Sequence, residues 1–295
     1  MPLWIRFDGL EAGGQRGSDV YINHAAPVTT DMRFDRTDLL GRDGQMAGSD
    51  LISKRVWDLT LHTNQHNEDD AVAFAKAWEM AWRNPDIRDG TKKVPLEYSR
   101  DQINWFRVFG RPTLFTGPEL DVFTVQGRGV LDLQFEQLDP LHYSSETESV
   151  ALEIAPRVTG GMRVPVRFPI RFNRTGAPTD RWRDNSGEAP TPVTLRFYGP
   201  VTDPVATVQG QWRFAVKGSL AWDEYLEIDP VAATVMVYSE TGAEARPAFS
   251  MIRTGSRLSD LVLPPGRHSF SFTGIDPTFT ASMVAAWPHA YSSIQ

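Results

Sequence analysis

Asp223, Glu224, Glu227 and Asp229 crowd seven residues of this chain, DEYLEID. Paired carboxylates are what glycoside hydrolysis requires: one held protonated as acid, the other ionised, roughly 5–9.5 Å away. On a strand Glu227 and Asp229 share a face, as do Asp223 and Tyr225, because side chains alternate with period two. Spacing along the chain does not fix the distance through space. A solvated strand end accounts for the same residues, since carboxylates are mostly exposed, and no catalytic residue is assigned.

His62 and His66 (HTNQH) stand four apart, a spacing at which a helix would present two zinc ligands on one face. They precede a helix start, however, and the segment lacks the glutamate of the H-E-x-x-H pattern and a third ligand. The expectation is two polar loop histidines and no metal. His24, His142, His268 and His289 are scattered. Zero cysteines remove disulfides, thiolate ligands and thiol nucleophiles. GQRGSD at Gly14–Asp19 and QGRGV at Gln126–Val130 are glycine turns without the helix that a phosphate-cradling loop should open. There is no G-x-S-x-G either, and no cofactor is implied.

Exposed aromatics can stack on sugar rings. Trp182, Trp212 and Trp222 are candidates. Trp212 shares an alternating face with Phe214 and Val216 and reads as core. Trp182 sits in a polar stretch, TDRWRDN, where it serves equally as an interface anchor or as a sugar platform. In Met162–Arg174 (MRVPVRFPIRFNR), Arg163, Arg167 and Arg171 line one face with Pro165 and Pro169 among them. Prolines withhold ladder donors, so this reads as a protected edge strand. The arginines could instead form a contact stripe for an acidic neighbour.

The elements that would position these residues are mostly β. The exception is Asn67–Trp82, NEDDAVAFAKAWEMAW, where Ala71, Phe74, Ala75, Trp78 and Trp82 fall along one helical face. Asn67 supplies an N-cap, three acids follow it where the helix dipole is positive, and Asn84-Pro85 ends the run. A helix over 68–83 is expected, laid against strands. Before it, Leu3-Ile5-Phe7, Val20–Ile22 and Ser53–Thr63 read as strands, and the Gly/Asp-rich stretch 37–50 as a long loop. After it, Val94–Tyr98 and Trp105–Phe109 make a hairpin that Gly110-Arg111-Pro112 should break, and Leu131–Glu136 alternates. Residues 176–190 read as a linker. About seven short strands follow, closing with Phe279, Ala281, Met283, Ala285 and Trp287 on one face. That spacing predicts a β-sandwich.

At 295 residues the chain has room for two domains, each with its own core. A net charge of −7 without a Lys/Arg block argues against a phosphate-binding surface. The opening MPLWIRFDGL lacks the apolar core of a signal peptide, and no apolar run is long enough for a membrane span. Synthesis and folding in a cytoplasm are the expectation.

Several pieces, in order, carry a resemblance: the strand–helix–strand unit Arg55–Tyr98, Gly110-Arg111-Pro112, LDLQFEQLDPLHY, NSGEAPTPVTLRFYGP, LEIDP, LPPGRHSFSFTG and the terminal WPHAY. Across essentially the whole chain they resemble the distal tail protein (Dit) family of long-tailed phages, a minor tail and baseplate hub component. The resemblance implies a mainly β fold. Residues 1–160 would be a ring-forming belt domain (sandwich or split barrel) with helix 68–83. Residues 161–190 would be a connecting edge strand and linker, and 191–295 a galectin-like β-sandwich. It implies a homo-oligomeric ring at the virion tail tip, a hexamer or a trimer. Its partners would be the tail tube, tape-measure and tail-associated hub proteins, without sequence-specific nucleic acid or membrane insertion, and it carries no catalytic residues. The alternative is a carbohydrate-binding module for host glycans. Trp182, Arg163, Arg167 and Arg171 are the candidate contacts under either reading.

Overall fold

Helix formation in the first half follows from the N-terminal chemistry of the segment. The Asn67 side chain accepts from the Asp70 backbone N–H at 2.8 Å, and Glu68–Trp82 is helical in the computed structural model. That structure describes residues 3–14, 18–41, 43–88, 93–118, 125–154, 180–242 and 244–294. The chain divides into two compact units, residues 1–145 with 291–295 and residues 146–290.

In the first unit antiparallel strands run in the order Leu10–Gly13, Trp4–Phe7, Val94–Ser99, Trp105–Thr116, Arg128–Gln137, Leu51–Asn64, Val20–Arg33. The helix buries Ala71, Ala75, Trp78, Ala81 and Trp82. Trp82 packs on Phe7 with ring centroids 4.7 Å apart and on Phe135 at 6.2 Å. Small alanines bring the helix close while the two tryptophans fill the space above the strands, where each large buried side chain contributes about 1.5–3 kcal/mol. Phe74, expected on this face, is only partly buried at its margin.

The strand expected to break at Gly110-Arg111-Pro112 instead runs on to Thr116. It changes partner there. Phe106 and Arg107 pair with Ser144 and Tyr143, whereas Gly110 onward pairs with Gln137 back toward Asp132. Phe109 O accepts from both Leu138 N (3.0 Å) and Asp139 N (3.2 Å) at the switch. Glycine is needed because a Cβ at 110 would collide with the carbonyl oxygen of Glu136. Pro112 is accommodated by a register shift between Pro112 and Leu114, where its missing donor is not required.

Two further expectations change. The stretch 37–50 holds a short hairpin, Arg36–Asp38 against Gln45–Ala47, tied by Gln45 donating to Asp38 at 2.7 Å. Asp180–Asn185, expected as part of a linker, is a strand paired with Gly266–Ile275, because its backbone groups complete the edge of a sheet. Residues 161–179 of the expected connection, including the Arg/Pro strand, lie outside the described residues.

The second unit is a sandwich. One sheet runs Arg246–Pro247, Thr234–Ser239, Glu224–Asp229, Thr194–Tyr198, Ser282–Tyr291. The other runs Asp180–Asn185, Gly266–Ile275, Val201–Val208, Trp212–Ala215. Their inner faces meet through Phe270 stacked on Trp287 at 5.1 Å and Phe197 against Phe272 at 5.8 Å. Ala281, Met283, Ala285 and Trp287 are buried as their alternation requires. Phe279 is not: it stands half exposed before the strand begins, at a backbone φ of 58°.

Candidate functional site

The carboxylate cluster is spent on structure. Asp223 accepts from the hydroxyls of Ser239 and Thr241, both at 3.0 Å, and those bonds, Thr241's foremost, hold its pKa below the ordinary value. Glu224 accepts from Ala221 N at 2.9 Å and pairs with Arg246 at 2.7 Å. The Ala221 bond leads the lowering of its pKa. Glu227 pairs with Arg196 at 2.6 Å, and Asp229 ties down the turn by accepting from Val231 N and Ala232 N. A glycosidase acid needs a raised pKa. Asp223 and Glu224 are shifted the opposite way, and all four carboxylates are engaged in bonds within their sheet and its turns.

The two spaced histidines do not converge. His62 stacks flat on Tyr21 across the strands, ring centroids 5.0 Å apart, while His66 lies in the segment between that strand and the helix. Among the described residues no three His, Asp or Glu side chains are placed to hold a metal ion. The histidine with a distinct environment is one that spacing did not single out. His142 is buried, with Arg55 Nη1 donating to its Nε2 at 3.0 Å. Guanidinium only donates, so the proton sits on Nδ1 and points at the Tyr98 hydroxyl 2.9 Å away. Burial first, then the Arg55 charge, pushes the His142 pKa down to about 4.

Trp182 is half exposed on the edge strand of its sheet, opposite Ser269, with the Arg267 guanidinium 5.4 Å from its ring centroid. Arg183 beside it pairs with Glu148 at 3.8 Å. Trp212 is core as expected, its indole N–H donating to Val262 O at 3.0 Å. Trp222 is 75% exposed, the more open of the two surface tryptophans although its sequence neighbourhood is less polar. Arg163, Arg167 and Arg171 lie outside the described residues.

Tyr198, Tyr225 and Tyr238 form a cross-strand ladder that sequence did not single out. They are in register, with centroids 5.5 and 5.1 Å apart. Rings set against one another across neighbouring strands stiffen their sheet. Large apolar residues also stand exposed between Met32 and Ile52 in the first unit. Their sequence signal is faint: Phe34 and Met46 stand among mostly polar neighbours, and Leu40 follows Leu39 in a Gly/Asp-rich stretch. No helix among the described residues is long and apolar enough to cross a membrane.

No protein-family model matches the chain, and no curated protein matches it by sequence. Solved structures do match by fold. The crystal structure of SPP1 Dit, described as a paradigm of the hub adsorption apparatus in phages infecting Gram-positive bacteria, is 13% identical with a TM-score of 0.59. The match covers 96% of this chain and 98% of that one. A chain of the phage P2 baseplate in its activated conformation with Ca is 13% identical with a TM-score of 0.56, over 97% of this chain and 98% of that one. The same baseplate with Sr matches at 13% identity and 0.55 over 97% of both chains. The expected Dit-like, mainly β fold is therefore the observed one.

Proposed function

We propose that this chain is a structural, non-enzymatic component of a long-tailed phage tail tip. It would form a ring that joins the tail tube to the tail-tip and receptor-binding apparatus. The observation that carries this is the fold likeness along nearly the whole length, 96% of this chain against 98% of SPP1 Dit. A fold shared with hub and baseplate proteins does not by itself transfer their role. Two features of this chain support it: its carboxylate cluster is committed to strand-end bonds, and its first unit exposes apolar side chains that its own core does not use. The finer reading is a six-fold ring, with a trimer as the lower-symmetry form. It would contact the tube, tape-measure and tail-associated hub proteins at the virion tail tip.

Light scattering with negative-stain imaging of the purified chain tests this. Rings with a central hole and three- or six-fold symmetry are expected. A chain that stays monomeric when concentrated, and also when mixed with its tail-tube protein, overturns ring formation.

A second reading, attachment to host glycans by the second unit, is favoured by the exposure of Trp182 and Trp222. Titration with host wall polysaccharide decides it. Binding that Trp182→Ala or Trp222→Ala abolishes would support it; no heat at millimolar sugar would remove it.

A further inference from the structure

Residues 291–295 belong to the first unit, although the strand that leads into them, Ser282–Tyr291, pairs with Thr194–Tyr198 in the second. The described part of this segment is held along its length. The Tyr291 ring stands edge-on to Phe106 with centroids 5.7 Å apart, and Phe106 in turn stacks on Tyr98 at 5.6 Å. Arg55 Nη2 donates to Ser292 O at 3.0 Å. Ile294 packs, partly buried, against the first core. Ser292 and Ser293 between these anchors are exposed.

Arg55 is shared. Its other terminal nitrogen, Nη1, donates to His142 Nε2 at 3.0 Å, so one guanidinium holds an imidazole and the segment at once. The arrangement needs an unprotonated Nε2. A proton there turns the acceptor into a donor and sets a second positive charge against the first. The other groups facing the imidazole are the Tyr98 hydroxyl, 2.9 Å from Nδ1, and the Trp57 ring, 6.0 Å between centroids. Neither brings a negative charge to offset the pair. The guanidinium is planar and rigid, so turning Nη1 away from His142 also swings Nη2 away from Ser292.

We propose that Arg55 is an acid-released clasp: protonation of His142 frees residues 291–294 from the first unit while the strands around them stay folded. The difference in hold supports a local rather than a global opening. Leu51–Asn64, which carries Arg55, is paired along both edges from Arg55 to Thr63, whereas the segment lies at the margin of its core. Elements with few buried contacts open first. Release would bare the Phe106 edge and the core margin beneath Ile294. The device is independent of the ring reading above.

The direction with pH follows from linkage. Burial first, and then Arg55, lower the His142 pKa to about 4 from 6.5. Opening therefore takes up a proton from solvent between those values. The clasp holds fully above pH 6.5, weakens as pH falls toward 4, and changes no further below that.

The experiment uses the full chain with Ile294→Cys, a unique thiol in a chain without cysteine, labelled by a dipyridyl disulfide from neutral pH down to about pH 4. Dividing each rate by that of the urea-denatured chain at the same pH gives the opening equilibrium. It should rise by up to about tenfold per pH unit across the window, about 300-fold in all. It should also stay well above the global unfolding constant from urea titration. Adding His142→Gln, a neutral acceptor for Arg55 that takes up no proton, should flatten the profile. Adding Arg55→Gln should open the segment at neutral pH and flatten the profile too. A rise of less than about tenfold across the window overturns the clasp. So does opening equal to global unfolding at every pH, or a neutral-pH thiol as reactive as in the denatured chain. An unchanged profile in either added variant overturns it as well. If His142→Gln does not unfold cooperatively, Arg55→Gln decides by the same criterion.

Discussion

Trp57 donates its indole N–H to the side-chain oxygen of Gln137 across 2.9 Å, two buried residues eighty positions apart that lock neighbouring strands of the first unit. The Gln137 amide nitrogen meanwhile donates to the carbonyls of Asp139 (2.7 Å) and Leu141 (3.2 Å). One amide thus satisfies a tryptophan and fixes the turn that follows its own strand. Gln137→Leu keeps the volume but strands a buried donor and two carbonyls. The expected loss is about 2–4 kcal/mol, read as a lower urea midpoint with unchanged slope.

His142 makes the stability of the first unit pH-dependent. Its folded pKa of about 4 lies below the ordinary 6.5, so between those values the unfolded chain takes up a proton that the folded chain refuses. It faces the Arg55 guanidinium, the Tyr98 hydroxyl and the Trp57 ring, and burial together with the Arg55 charge opposes a second positive charge. Its contribution, up to about 3 kcal/mol, is complete above pH 6.5 and is lost as pH falls toward 4. Denaturation at intervals across that window should show the slope, and His142→Leu should flatten it while lowering stability at neutral pH.

Gly110→Ala should destabilise by about 2–3 kcal/mol, because the added methyl meets the backbone of Glu136 and Gln137, which cannot rotate away. Gly117→Ala is the control. Its Cβ would make an ordinary 3.5 Å contact with the Phe115 ring, and stability should stay within about 0.5 kcal/mol. Thermal unfolding of the two variants side by side checks the contrast.

Asp276 holds the loop before the last strand by accepting from Thr278 N and its hydroxyl, Thr280 N and Ala281 N, at 2.6–2.8 Å. Burial raises its pKa, but these bonds outweigh that and leave it lowered. Its stabilisation is therefore present above the ordinary pKa of 3.8 and lost as pH falls below it, a more acidic window than that of His142. Asp276→Ala should cost about 2–3 kcal/mol at neutral pH and should weaken protection of Ala281 in hydrogen exchange.

What the sequence determined by itself were the elements whose signal is local. Asn67, the acids after it and the apolar stripe to Trp82 specify a helix because capping and 3.6-residue periodicity act within a few turns. Trp212 and the Ala281–Trp287 face were legible as core because alternation states which side of a strand is buried. Tertiary structure decided what depends on neighbours far along the chain. Gly110 and Pro112 look like a strand break until the backbone of Glu136 is seen to require glycine and a register shift to absorb the proline. Asp180–Asn185 looks like a linker until Gly266–Ile275 supplies its hydrogen bonds. His142 is an unremarked histidine until burial lowers its pKa and Arg55, eighty-seven positions earlier, fixes its tautomer and lowers that pKa further. The exposed apolar residues between Met32 and Ile52 follow the same logic. Whether an apolar residue is core or contact surface depends on what lies across from it, which periodicity along one chain does not encode.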